Sequence, residues 1–361
     1  MAFIEINKNS ITHNVRILHD FCNKREIKLC VVTKCCCSEE EIINLIHSSG
    51  INEIADSNQE NFKRLPVDLA CNLRKSVIKT RLTDIELLSS LPPSARPQRV
   101  FISDEIMLEV LIGISPDICP DIMLIAEVGD FRDGFYPQQL SSICKRYHNL
   151  PIIGIAANYA CLSGKMPCME DANLLSQLAS EIITRDGELP LVSLGGTVAY
   201  PLFDDARFLD DERHRDNICA WELRMGEGIF LGRNPATDIN LPGFKQDAFT
   251  FFGEILEIRE KEYSESGNKG YNALGEKDLA FKTGKRLNMV LDFGVLAAPA
   301  KSLCPLDNLT EIVGQTYDFT ILDITKSGRE YTVGQYIGFT PLYGTISHAM
   351  LNKYVKKVYK K

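Results

Sequence analysis

The chain has 361 residues, 45% of them hydrophobic and 24% charged, with a net charge of -8. That length carries one large domain and a smaller one, and an acidic balance with no dense Lys/Arg stripe argues against a general nucleic-acid binder. No basic segment followed by an apolar core opens the sequence, and no apolar run approaches the roughly 18 residues that span a bilayer. Twelve cysteines without an export signal point to free thiols in the cytoplasm and no membrane. Three of these are consecutive, Cys35, Cys36 and Cys37, which is not the spacing of a structural zinc site, so no metal is expected.

From about residue 8 to 235 helix-like and strand-like patterns alternate. Apolar residues at helical spacing over 11–18 precede an apolar, β-branched run, Leu29-Cys30-Val31-Val32-Thr33-Lys34, that predicts a strand over 29–33. A helix is expected over 39–47 with Ser38 as N-cap and Gly50 as stop, then a strand over 51–55 and a helix over 59–65. Further strands are expected at 76–79, 99–102, 122–128, 152–156, 190–194 and 223–225. The alternation favours a parallel sheet with crossover helices, and the strand count fits an α/β fold closed into a (β/α)8 TIM-type barrel.

After Pro242 the texture changes. Strand-like segments at 249–259, 286–293, 317–324 and 335–339 have few helical patterns between them, and 264–270 reads as a turn or loop. The alternating, Lys-rich end of the chain suits a final strand. The expected organisation is a barrel over 1–239, whose first strand residues join the other domain, and a mostly β domain over 240–361.

In a parallel barrel, chemistry gathers at the C-terminal ends of strands. Lys34 stands at such an end. Its ammonium either leans into water or, in an apolar mouth, is available to form a Schiff base with an aldehyde. The strand at 190–194 runs into Gly195-Gly196-Thr197, either a plain turn or a phosphate cradle of amides and a hydroxyl. The strand at 223–225 carries Arg224 into Gly226-Glu227-Gly228. An arginine in such a place ordinarily pairs with a carboxylate, yet this is also where barrels bind phosphate.

Together these residues resemble the alanine-racemase-like, fold-type III family of enzymes that use pyridoxal 5′-phosphate (PLP), and within it the ornithine racemase group. The resemblance runs almost end to end. It takes in Glu5-Ile6-Asn7, Val31-Val32-Thr33-Lys34, Ala55-Asp56-Ser57-Asn58-Gln59-Glu60-Asn61, Gly129-Asp130-Phe131-Arg132-Asp133-Gly134 and Asn158-Tyr159-Ala160-Cys161. It is especially close from Leu223 to Arg233 and at Gln246-Asp247-Ala248-Phe249-Thr250. What it implies is an amino-acid racemase that inverts Cα by proton transfer, with a small or basic amino acid such as ornithine or lysine as substrate. Lys34 resembles the lysine that binds PLP and serves as a base, and Arg224 the arginine facing the pyridine nitrogen. Thr197 with the amides of Gly226 and Glu227, and Tyr343, match the phosphate contacts. Asn158 takes the place of a ring-facing histidine, and Arg132 corresponds to the arginine near the substrate carboxylate. Tyr317 and Asp318 fall at the loop that a partner subunit lends to the site, which implies a homodimer whose β domain completes the partner's active site.

The sequence departs from the alanine racemases at their second proton carrier, a tyrosine in the β domain. Phe293 or Val295 occupies its place, and neither moves a proton. Cys37 is either one substitute, its thiol lowered in pKa beside a cation, or simply a small buried hydrophobe; Asp292, Tyr317 and His348 are other substitutes. A basic substrate needs an acid for its far ammonium, for which Asp130, Asp133, Asp292 and Asp318 are available. The competing expectations are a PLP-dependent decarboxylase, against which Arg224 argues, an aldol-type lyase of the kind that holds a metal by His and Cys, for which no cysteine follows His348, a PLP-binding pseudoenzyme with an incomplete proton relay, and a non-catalytic PLP homeostasis protein. Against that last reading stands the second domain.

Overall fold

The computed structural model describes residues 1–184, 187–210, 218–264, 270–277 and 283–361. The chain divides into two compact units: Ile11–Lys245, and a second made of Met1–Ser10 with Gln246–Lys361. The division falls a few residues beyond the 239/240 boundary read from the sequence.

The second unit begins with strand β1 (Phe3–Asn7), and helix Lys8–Asn23 leads into the first. The first unit is a closed barrel of eight parallel strands: β2 (Lys28–Val32), β3 (Glu53–Asp56), β4 (Arg74–Val77), β5 (Arg99–Ile102), β6 (Asp121–Ala126), β7 (Ile152–Asn158), β8 (Leu191–Gly195) and β9 (Ala220–Met225). They pair in chain order, and β9 closes on β2, with Cys30 opposite Arg224. Barrel strands are covered on both faces, so they read as unbroken apolar runs; residues 122–126 of β6 are all buried. Phe101, Met123, Ile125, Ala156 and Leu191 form one cluster of the interior and Cys30, Val32 and Ala55 another. A short hairpin, β10 (Arg233–Asn234) with β11 (Ile239–Asn240), follows the last barrel strand.

In the second unit, β12 (Phe249–Tyr263), β13 (Gly284–Leu291), β14 (Leu303–Pro305), β15 (Glu311–Gln315), β16 (Thr320–Asp323) and β17 (Tyr336–Pro341) form an antiparallel sheet in the order β14-β17-β12-β13-β16-β15. β1 adds to β12 antiparallel and carries β18 (Lys356–Lys360) parallel on its other side. Alternation buries Phe249, Phe251 and Ile255 on one face of β12. This is the α/β barrel with a second, mostly β domain that the sequence implies. Among the described residues no helix is long and apolar enough to cross a membrane.

Several local expectations need correction. Ser38 is not the N-cap of the next helix, Glu40–Ser48, which starts from Glu39; the Ser38 hydroxyl is bonded to Asp56 instead. Residues 59–64 form a 3₁₀ helix with Asn58 as its side-chain cap. Tyr317 and Asp318 lie before β16 rather than in it, and helix Tyr343–Leu351 had no counterpart in the sequence reading. Of the loop expected at 264–270, residues 265–269 lie outside the described residues.

Candidate active site

The site grows from the ends of β7, β8, β9 and β2, which are neighbours. Asn158 is opposite Gly195, and Gly195 is opposite Arg224. Arg224 therefore lies two strands from Asn158, with only a glycine between them. Its Nη2 donates to the Ala157 carbonyl at 2.9 Å and to Asn158 Oδ1 at 3.3 Å. A Cβ on Gly195 would stand 2.6 Å from Arg224 Nη2 and 2.7 Å from Asn158 Oδ1. Gly195→Ala is accordingly expected to break this contact and to cost about 1–3 kcal/mol of stability, measured as a fall in the urea midpoint at unchanged slope.

Arg224 is 2% exposed, and its guanidinium lies 4.6 Å from the Phe101 ring centroid. The carboxylate expected as its ordinary partner is not among its hydrogen bonds, which go to neutral oxygens. Its buried Nε has no hydrogen-bond partner among the described residues. Burial pushes its pKa down to about 10, against the pull of Glu222, so the group stays a cation at neutral pH.

Below it is a second buried layer. Arg99, 1% exposed, donates through Nη1 to the fully buried Glu222 at 2.7 Å and through Nε to Ser76 Oγ at 2.8 Å. Ser193 Oγ donates to the other oxygen of Glu222. Sequence reasoning missed this layer. The signal available was position: Glu222 is two residues before Arg224, hence on the same face of its strand.

Lys34 is exposed and opens a 3₁₀ turn, Lys34–Cys36, just past the end of β2. Gly226 comes so close to this strand end that a Cβ there would meet the Val32 carbonyl at 2.6 Å. Helix Glu227–Leu231 starts at this point, and a helix start leaves amides without intrahelical acceptors. Thr197 Oγ1 accepts that of Gly228 at 2.9 Å; Gly196, at φ +101°, makes the turn that brings Thr197 there. The Glu227 carboxyl is pushed up to about 6 by burial, with Arg233 and Lys34 pulling the other way.

Arg132 lies in the loop after β6, its Nε 2.6 Å from Asp133 Oδ1, and its charge reaches Arg224. Asp130 Oδ1 accepts the amides of Cys161, Leu162 and Ser163, tying this loop to the one after β7. Of the two readings of Cys37, the buried hydrophobe is the one found. It is 2% exposed, and burial, with Cys36 and Asp56 beside it, pushes its thiol up to about 11 rather than down.

The remaining expected site residues belong to the other unit. Phe293 is core, packed edge-on to Phe251 and Phe339, and Val295 is half-buried. Tyr317 and Asp318 are exposed together. Tyr343 opens helix Tyr343–Leu351, which also carries the exposed His348. Asp292 Oδ1 accepts the Glu254 amide at 2.8 Å. Among the described residues no group of three His, Cys, Asp or Glu is arranged to hold a metal ion.

No family model matches the chain. It is 26% identical to an ornithine racemase of Acetoanaerobium sticklandii, over 98% of both chains, and 23% identical to a lysine racemase of Thermotoga maritima, over 98% of this chain and 97% of the relative. In fold it matches the biosynthetic alanine racemase of Pseudomonas aeruginosa with a TM-score of 0.69 at 15% identity, covering 100% of this chain and 99% of that one. The alanine racemase of Bartonella henselae, whose structure has covalently bound pyridoxal phosphate, matches with a TM-score of 0.69 at 14% identity, covering 99% of each. The chain is thus similar, end to end in sequence, to an ornithine racemase and a lysine racemase, and it has the two-domain fold of the alanine racemases.

Proposed function

We propose that this protein is a PLP-dependent racemase of basic amino acids. The observation that carries the reading is the pairing, at one mouth of the barrel, of an exposed lysine at the end of β2 with a buried arginine on the adjacent β9. Among the described residues that arginine bonds only neutral oxygens and has an N–H to spare. An unspent buried donor suits an acceptor such as a pyridine nitrogen, because a buried polar group without a partner is costly. The glycines at 195, 226 and 228, where a Cβ would collide with the surrounding atoms, keep the strand ends closely packed around it.

In this reading Lys34 holds the cofactor covalently, and Thr197 with the amides of Gly226 and Glu227 holds its phosphate, joined by Tyr343. Asn158 and Arg224 face the ring, and Arg132 takes the substrate carboxylate. When bound, PLP supplies an electron sink that acidifies the Cα–H of an amino acid. Arg224, always protonated, donates to the ring nitrogen without surrendering a proton. A ring left unprotonated is a weaker sink, which favours returning the proton over losing carboxylate or an aldol fragment.

Lys34 Nζ takes or gives the Cα proton on one face, and a second acid/base gives or takes one on the other, so nothing is consumed. Phe293 and Val295 have no titrating group, and the Cys37 thiol is buried with a raised pKa, so we assign the second role to Tyr317. Of the four candidate acids for a distal ammonium, Asp133 and Asp292 are engaged in the contacts above, and Asp130 spends Oδ1 on three amides while its Oδ2 is buried without a hydrogen-bond partner among the described residues; Asp318, exposed beside Tyr317, is the one we assign. Both residues are taken to come from a second copy of the chain, making the active unit a homodimer. Twelve free cysteines fit a cytoplasmic setting.

The test is incubation in D2O with ornithine, lysine, serine and alanine. Deuterium is expected at Cα of at least one basic amino acid, together with loss of optical rotation. A panel showing neither exchange nor inversion would overturn the racemase reading.

A further inference from the structure

We propose that Asp56 is a positioning residue for Lys34: its buried carboxylate ties together the two ends of the turn that carries the lysine. The inference rests on the reading of Lys34 given above.

Asp56 ends β3 beside the end of β2 and is 0% exposed. Its Oδ2 accepts from Ser38 Oγ at 3.1 Å and shares the single Thr33 hydroxyl proton, at 3.4 Å, with the Ala55 carbonyl at 3.2 Å; the two hydroxyls meet at 3.0 Å. Thr33 immediately precedes Lys34, and Ser38 closes the turn that follows it. The other oxygen, Oδ1, accepts from the Asn58 amide and from Asn61 Nδ2, both at 3.0 Å. One carboxylate thus fastens both flanks of the lysine turn to the next barrel strand and its loop.

The turn needs fastening. Cys37 and Ser38 stand in succession at φ +53° and +49°, a left-handed conformation that residues with side chains rarely adopt and that persists only where the surroundings hold it. The side chain of Lys34 is exposed, so the backbone beneath it decides where its amine starts. Burial raises the Asp56 pKa against the pull of these hydrogen bonds. A carboxylate kept in so unfavourable a place points to a role for its four acceptor contacts.

The experiment uses the full-length apo-protein with limiting PLP, borohydride reduction, and peptide mass spectrometry of the fraction labelled at Lys34, beside the melting temperature of each chain. Asp56→Ala is expected to cut labelling about tenfold, and Ser38→Ala about threefold, because the amine loses its preset approach to the aldehyde. Asp56→Asn keeps the shape and one acceptor, so labelling within about threefold of wild type is expected. The control is Ile54→Ala, a core truncation in the same strand (Ile54 is 0% exposed), which is expected to lower the melting temperature without comparable loss of labelling. Wild-type labelling in both Asp56→Ala and Ser38→Ala, or losses that merely track melting temperature as in Ile54→Ala, would overturn the proposal. Should Asp56→Ala not fold, Ser38→Ala decides by the same criterion. A wild-type chain not labelled at Lys34 would instead overturn the reading of Lys34 itself.

Discussion

Lys34→Ala is expected to abolish the borohydride-reducible PLP adduct and to slow Cα proton exchange by at least about a thousandfold. In the function proposed above two roles are lost at once, the covalent hold on the cofactor and the base on one face of the substrate, and neither is replaceable by a methyl group. The fold should be indifferent to the change. Lys34 is exposed, and surface substitutions of this kind stay within about 0.5 kcal/mol, so the urea midpoint of the apo-protein should match wild type. That combination separates chemistry from folding. Mass spectrometry of the reduced protein and NMR of Cα deuteration in D2O read the two losses separately. A variant that still carries a reducible adduct in equal yield would mean that another lysine holds the cofactor, and the site would have to be placed elsewhere.

Lys34 was legible in the sequence because a cation ending a β-branched run is conspicuous, and strand ends are where a parallel barrel keeps its chemistry. The barrel was legible for a related reason: strands buried on both faces leave apolar runs that helices punctuate. What escaped was whatever depends on partners far away in the chain. Ser38 looks like an N-cap from its position before a helix, but the hydroxyl is taken by Asp56, which only the pairing of β3 with β2 brings close. Helix Tyr343–Leu351 was hidden by its Gly, Thr and Ser residues, poor helix formers whose place is set by packing. β14 and β15 are only three and five residues long, too short for alternation to stand out. Of the two readings of Cys37, burial prevails over the neighbouring cation, and the raised thiol is its consequence. The Arg99–Glu222 pair joins residues 123 positions apart, and no local pattern announces it.

Removing one member of that pair should be among the most damaging single changes available to the barrel. Glu222→Leu is expected to cost about 3–5 kcal/mol, because it leaves the Arg99 guanidinium buried and uncompensated. Glu53, at 3.4 Å from Arg99 Nη2 and itself only partly buried, is the nearest substitute, but its own pKa is raised by burial and by Glu222. The double variant Arg99→Met/Glu222→Leu removes both charges and is expected to be clearly more stable than Glu222→Leu alone, with a coupling of about 2 kcal/mol or more. Urea unfolding of the four chains measures it; strict additivity would show that the pair contributes nothing as a pair. The pH dependence has a definite sign. Arg99 holds the Glu222 carboxyl below the ordinary range, so its stabilisation is complete above the unfolded value of about 4.3 and is lost as pH falls through the lower folded value. Glu53, with its raised pKa, contributes in the opposite sense, so the double variant should show a shallower acid loss than wild type. The consequence reaches the site. Arg99 and Arg224 approach the same Phe101 ring, at 5.5 and 4.6 Å from its centroid, and among the described residues Glu222 is the fully buried carboxylate that attracts both. Without it the barrel interior would hold two cations against each other, and the cheapest relief is for Arg224 to move toward water and away from Asn158.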